Sequence, residues 1–170
     1  MWRKTLHASL PWAAASIVID AADGEYAELI CRLNNEPEVR KFLGGPLRVS
    51  VDDTREKLNE APDRLYVIKV EGAAIGYSGF IENDKTGATD ILVIIDPRYQ
   101  GNGAGKEVVL LMLREFRDRF PERHIALTTQ RENTKAQRLL DSIGFSQTGE
   151  YDDFLGFNYY VYRHQDDFAT

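Results

Sequence analysis

The residues best suited to chemistry lie in one stretch, Asp96-Pro97-Arg98-Tyr99-Gln100-Gly101-Asn102-Gly103-Ala104-Gly105-Lys106, which joins an apolar run to an amphipathic one. Glycines at such a junction let the backbone approach a ligand closely. The first amides of a helix have no partner inside it, and the helix dipole adds partial positive charge there, so the expected guest is a phosphate. Lys106 adds a cation. Two familiar phosphate loops fail on spacing. The Walker pattern needs glycine where Gln100 stands and Ser or Thr where Glu107 stands; the dinucleotide pattern needs glycine where Lys106 or Val108 stands. ATPase and Rossmann readings are thereby weakened. Taken alone, such a stretch is more often a turn that its glycines merely tighten.

A second block follows, Asn133-Thr134-Lys135-Ala136-Gln137-Arg138-Leu139-Leu140-Asp141-Ser142-Ile143-Gly144-Phe145. Together the two resemble the GNAT superfamily of N-acetyltransferases. Gln100-x-x-Gly103-x-Gly105 is similar to that family's acetyl-CoA pyrophosphate signature, and Asn133, Ala136 and Gly144-Phe145 are similar to its next conserved block. The lead-in Asp96 to Tyr99 resembles the end of the family's fourth strand, and the likeness in order of elements spans residues 16–163. Leu140 and Asn35-Glu36-Pro37-Glu38-Val39-Arg40 resemble the branch that acetylates ribosomal proteins and other protein N-termini.

The resemblance implies acetyl-CoA as donor, with its pantetheine arm between splayed fourth and fifth strands, here residues 90–95 and 125–129. Val93, Ile94 and Ile95 would offer backbone groups to that arm. Gln100, Gly101, Asn102, Gly103, Ala104, Gly105 and Lys106 would hold the pyrophosphate, and Asn133 would contact the cofactor beside the thioester. The family reaction is direct attack of an amine on the acetyl carbonyl, which needs a neutral, oriented amine and a stabilised oxyanion. An amine with pKa near about 10.4 is only ~0.1% neutral at pH 7.4, a handicap of roughly 4 kcal/mol, whereas an α-amine near about 7.8 mostly escapes it.

Asp90 stands where many relatives carry a glutamate that draws a proton through water, which makes it the candidate base; the alternative is a solvated strand end. Leu140 stands where many relatives carry a tyrosine acid and cannot donate a proton, so Tyr151, Ser142 or water is left to protonate the departing thiolate. Acceptor contacts are expected from residues 34–62 and 151–158. There Glu36, Asp152 and Asp153, with Phe154 and Phe157 beside them, are candidates to receive a cationic amine, although paired aspartates in a turn are also ordinary solvated loop.

The elements that must position these groups follow from periodicity. Strands are predicted over 16–21, 65–70, 74–82, 88–95, 125–129, 145–151 and 159–163, and helices over 25–33, 51–60, 106–120 and 133–142. The helix over 106–120 repeats Val108, Met112, Phe116 and Phe120 on one face. Residues 91–129 should form a right-handed crossover with parallel strands in an otherwise antiparallel sheet. The expected architecture is α/β (α+β): a GNAT-like mixed sheet of about six to seven strands, splayed between its fourth and fifth, with about four flanking helices. One domain is expected over residues 1–170, with 1–15 as an N-terminal arm.

Composition narrows the function classes. The chain has 170 residues, 43% hydrophobic and 28% charged, which suits a folded globular protein. A net charge of -6 disfavours a broad nucleic-acid surface and suits a neutral or cationic acceptor. Cys31 is the single cysteine, read as buried core, and the scattered His7, His124 and His164 make no metal pattern. Gly76-Tyr77-Ser78-Gly79-Phe80 has the wrong spacing for a hydrolase elbow. No run is long enough to span a membrane, so a cytoplasmic protein is expected. Tyr159, Tyr160 and Tyr162 suit sheet packing or a homodimer edge. The function expected is acetyl transfer from acetyl-CoA to a primary amine of a protein N-terminus or a small polyamine-like molecule. An aminoglycoside acceptor and a non-catalytic acyl-CoA-binding module are the alternatives.

Overall fold

The computed structural model describes residues 5–9, 16–43, 48–60, 64–153 and 157–164; most of the N-terminal arm, the corner at 44–46 and Phe154 lie outside them. In chain order the elements are β1 (Leu6–Ser9), β2 (Ser16–Ala21), a tight turn (Gly24–Tyr26), α1 (Ala27–Asn35), α2 (Pro37–Arg40) and α3 (Val51–Glu60). There follow β3 (Leu65–Val70), β4 (Ala73–Asn83), β5 (Ala88–Ile95), a second tight turn (Pro97–Tyr99) and α4 (Ala104–Arg119). β6 (Leu127–Gln130), α5 (Thr134–Ser142), β7 (Phe145–Asp152) and β8 (Asn158–His164) complete it.

The strands form two antiparallel sheets, β1-β2-β3-β4-β5 and β6-β8-β7. Among the described residues they meet at one parallel bridge, between Thr89 and Ile125. There the Thr89 amide donates to His124 O at 3.2 Å and the Ala126 amide to Thr89 O at 3.0 Å, after which β5 and β6 diverge. The expected parallel neighbours and splay are therefore present. The splay falls between β5 and β6 because β1, inside the stretch read as an arm, adds a strand ahead of those predicted. Four residues are too few for alternation to register as a strand. α2 is one turn and lies in residues 35–40, the stretch that resembles the branch acetylating protein N-termini.

α4 unites the two sheets. It buries Val108, Val109, Leu111, Met112, Leu113 and Phe116 against Ile17, Ile19, Ile68, Ile75, Ile91 and Ile95 of the first sheet and Leu127, Phe145 and Tyr162 of the second. Each such side chain contributes about 1.5–3 kcal/mol when fully buried. The other face of the first sheet packs Tyr77 and Ile94 under Ala27, Ile30, Leu33, Val39 and Leu58 from α1, α2 and α3. β5 thus sends alternate side chains to opposite layers. Cys31 is buried as expected, its thiol donating to Val49 O at 3.3 Å. Among the described residues no helix is long and apolar enough to cross a membrane.

Candidate active site

Backbone groups in a strand alternate between its two edges. Thr89 turns its amide and carbonyl toward β6, while the Asp96 amide donates to Ile75 O on the β4 side at 2.9 Å. Ile91, Val93 and Ile95 therefore face the divergence with Thr89, and Ile94 spends its backbone on β4 opposite Tyr77. The Ile95 carbonyl accepts from Gln100 Nε2 at 2.8 Å. That leaves the Val93 backbone and the Ile95 amide on the open edge.

Asp90 fills the point of divergence. The Thr128 amide donates to its two carboxylate oxygens at 3.2 and 3.1 Å, and the Thr128 hydroxyl donates to Oδ2. The carboxylate thus takes the donor that a continuing ladder would have used and props the strands apart. It is only 9% exposed, which rules out a solvated strand end. Burial pushes its pKa up to about 7, and hydrogen bonds from Thr128, the Ile91 amide and the Asn83 side chain resist that rise.

The Asp90 side chain projects on the sheet face away from α4, the face on which Leu92 and Ile94 also lie. Asn83, on the same face of β4, donates from Nδ2 to the Tyr151 hydroxyl at 3.3 Å. Tyr151 stacks on Tyr159 with centroids 5.1 Å apart and planes at 14°. The Tyr159 hydroxyl accepts from Gln130 Nε2 at 3.4 Å. Asp90, Thr128, Gln130, Tyr159, Tyr151 and Asn83 thereby surround the vertex with contacts drawn from both sheets. Ile81, opposite Asp90 in the ladder and 44% exposed, is an apolar lip beside them. Leu140 is buried in the core, and the Ser142 hydroxyl is spent on Leu139 O at 2.8 Å.

At the open end of the divergence, the Asp96 carboxylate fixes the turn. Oδ1 accepts from the Arg98 amide and Nε, both at 3.0 Å, and Oδ2 accepts from Arg98 Nη2 at 2.6 Å and Arg32 Nη2 at 2.7 Å. Hydrogen bonds from Arg98, foremost, hold this carboxyl below the usual carboxylate range. Gly101 and Gly103 then take φ of 85° and 80°, a region that side chains disfavour. α4 opens with bonds from the Lys106 and Glu107 amides to Gly103 O at 3.0 and 3.3 Å, and the Ala104 amide has a long contact of 3.5 Å with Asn102 Oδ1. Among the described residues the amides of Gly101, Asn102, Gly103 and Gly105 find no acceptor. A row of free amides at a helix start, continuous with the open edge at Val93 and Ile95, fits a pyrophosphate followed by an amide-bearing arm. Lys106 Nζ donates to Ser142 O at 3.3 Å, tying α4 to the end of α5. Asn133 caps α5, its Oδ1 accepting from the Ala136 amide at 3.2 Å, so Nδ2 is the group it has left for a ligand.

The three acidic acceptor candidates are not equivalent. Asp153 closes the β7–β8 hairpin, its Oδ1 accepting from the Phe157 amide at 2.9 Å, and its charge reaches Tyr159, whose pKa is raised chiefly by burial. Asp152 is exposed at the end of β7. Glu36 joins α1 to α2 within electrostatic reach of Arg98. Sequence reading missed Asn83, Thr128, Gln130 and Tyr159 as members of the site. Among the described residues no three His, Cys, Asp or Glu side chains gather as metal ligands.

A sheet parted by a buried carboxylate, with free helix-start amides at its mouth, is an arrangement that suits a phosphate-bearing ligand with an extended arm. Residues 17–146 match the acetyltransferase (GNAT) domain model, and the chain belongs to that family; it is an N-acetyltransferase with acetyl-CoA as donor. It is 29% identical over 112 residues to the spermine/spermidine N(1)-acetyltransferase of Bacillus subtilis, covering 62% of this chain and 72% of that one. A GNAT-family acetyltransferase from Bacillus anthracis superposes with a TM-score of 0.74 at 18% identity, covering 95% and 96% of the two chains. A ribosomal L7/L12 alpha-N-protein acetyltransferase does so with a TM-score of 0.68 at 16% identity, covering 92% and 93%.

Proposed function

We propose that this chain transfers the acetyl group to a primary amine of a small polyamine-like molecule or a protein N-terminus, with Asp90 as general base. The observation that carries the reading is the buried Asp90 carboxylate at the vertex, with its pKa pushed up to about 7. A base of that strength is half ionised near neutrality, where it can take a proton from an ammonium directly or through one water. The neighbouring face, lined by Ile81, Asn83 and Tyr151, receives the amine. Asp153, with Asp152 and Glu36 further out, draws a cationic acceptor toward it. Acetyl-CoA, when bound, supplies the activated acyl carbonyl. The Val93 and Ile95 backbone, beside Ile94, holds its pantetheine arm; residues 100–106 hold its pyrophosphate; and Asn133 Nδ2 donates beside the thioester. Tyr151 is the proton donor for the departing thiolate, because Leu140 has no proton to give and Ser142 is bound to its own helix.

The likeness to a spermine/spermidine acetyltransferase supports a polyamine-like acceptor, as does the net charge of -6. The test is release of free CoA, followed with a thiol reagent over polyamines, N-terminal peptides, amino acids and aminoglycosides. Faster release with polyamines or N-terminal peptides supports the reading. Release with aminoglycosides alone would replace its acceptor, and tight CoA binding without release on any amine would overturn transfer itself.

A further inference from the structure

We propose that Arg32 of α1 is a positioning residue for acetyl-CoA binding, fixing the turn at residues 97–103 through the Asp96 carboxylate; the role rests on the reading of residues 100–106 as the pyrophosphate cradle. Asp96 stands at the root of that turn. Its amide still pairs with β4, donating to Ile75 O at 2.9 Å, and the residue is only 2% exposed. Three bonds to its carboxylate come from Arg98, two residues further on. Bonds made inside a turn set its shape and not its place. The fourth comes from Arg32 Nη2 at 2.7 Å, across 64 positions of the chain. Among the described residues, Arg32 is therefore the donor to this carboxylate that does not belong to the turn it fixes.

The anchoring end is secure without Arg32. Ala27, Ile30 and Leu33 seat α1 on the first sheet, and Asn34 Oδ1 accepts from the Tyr77 hydroxyl at 2.8 Å while its Nδ2 donates to Ile30 O at 3.0 Å. Losing the Arg32 guanidinium thus leaves α1 in place and frees the turn instead. Gln100 Nε2, on Ile95 O at 2.8 Å, ties the turn to its own strand; Arg32 ties it to the helix layer. Gly101 and Gly103 follow with the widest backbone freedom, so a turn loosened at its root has more conformations to lose when a ligand orders it. A ligand that fits one of those conformations binds more weakly in proportion to how seldom it is populated. The bland alternative is that Arg32, in the last turn of α1, merely complements the helix dipole. That role needs a cation near the helix end and has no consequence at the cradle. α1 runs directly into residues 34–40, so one buried carboxylate joins the proposed acceptor wall to the donor cradle.

The test separates positioning from folding. Arg32 is exposed, so Arg32→Met removes the charge without opening a cavity, and Arg32→Lys keeps the charge and can make the single bond. Each variant is read by circular dichroism, by calorimetric Kd for CoA, and by kcat and KM with a good acceptor. For Arg32→Met the expected result is a Kd for CoA and a KM for acetyl-CoA about three- to tenfold higher, with kcat at saturating acetyl-CoA within about twofold of the parent. Arg32→Lys recovers most of the loss. A purely structural role would instead lower kcat through loss of folded enzyme and leave both affinities unmoved. Because Arg32 acts through Asp96, adding Arg32→Met to Asp96→Asn costs no further CoA affinity. An unmoved Kd in folded Arg32→Met would overturn the positioning role. Additive losses in the double variant would overturn it too, placing Arg32 on the ligand rather than on Asp96. Unchanged CoA affinity in Gly103→Val would refute the cradle reading, and the proposed role with it.

Discussion

Asp90→Asn should make the protein a worse enzyme and a more stable one, with the gain in stability confined to neutral and alkaline pH. The ordinary carboxyl value of 3.8 rises in the fold to about 7. Between those values the folded chain keeps a proton that the unfolded chain has released, so stability falls as pH rises through the window. At about 1.4 kcal/mol per pH unit, ionising this carboxylate costs the fold up to about 4 kcal/mol above neutrality and nothing below about pH 4. Asparagine escapes that cost. Its Oδ1 still accepts from the Thr128 amide, and the Thr128 hydroxyl can turn to accept from its Nδ2. Denaturant unfolding of both chains at about pH 4 and about pH 8.5 measures the difference, and all other titrations cancel between them. The expected outcome is near-equality in acid and an advantage to the variant of a few kcal/mol in base, or roughly 8–16 °C in Tm. Acetyl transfer should fall about 10²–10⁴-fold. A stability difference that does not change with pH would refute the burial of an ionisable wedge at the vertex.

Gly103→Val forces a β-branched residue to φ of 80°, at about 1–3 kcal/mol of strain, and should reduce CoA affinity at least about tenfold by calorimetry; unchanged affinity would sink the cradle. Asp96→Asn loses charge-assisted bonds to Arg98 and Arg32 at about 1.5–3 kcal/mol each in the parent. The Asp96 contribution is present above the ordinary carboxylate range and fades as pH falls through the lowered pKa, so the gap between parent and variant should be widest near neutrality and narrow in acid. Equal stability at pH about 7 would contradict the anchoring of the turn. In Gly76→Ala the new Cβ would stand 2.2 Å from Ile94 O, so β5 has to move. A stability loss of about 1–3 kcal/mol with weaker acetyl-CoA binding is expected, and an unaltered Kd would show that the β5 edge does not hold the cofactor.

What could be read in advance was whatever residue type alone enforces. Glycine is the residue that takes the left-handed backbone at Gly101 and Gly103, and asparagine is a natural cap for α5, so the turn and the cap were visible as letters. The strand itself was visible too, but the expectation that Ile94 joins Val93 and Ile95 on the cofactor edge is corrected by the ladder, which pairs the Ile94 backbone with Tyr77 of β4. The wedge role of Asp90 was not visible, because it depends on one parallel bridge that fixes which residue of β6 lies opposite. Asn83, Thr128, Gln130, Tyr159 and Tyr151 come from four strands, and their meeting is a product of the order β6-β8-β7 rather than of any local pattern. β1 escaped notice because four residues are too few to show a period.

β8 is the last of the described strands, yet it lies between β6 and β7. During synthesis the first sheet can assemble as soon as β5 has left the ribosome, because all its ladders join strands already made. β6 touches β5 only at the Thr89–Ile125 bridge and through Thr128 on Asp90, and gains a ladder of its own only when residues 158–164 emerge with Tyr159, the stacking partner of Tyr151. Such long-range pairing is slow to form. The turn at residues 100–106 is thus complete in sequence well before the strand that brings Tyr159 to the Asp90 vertex.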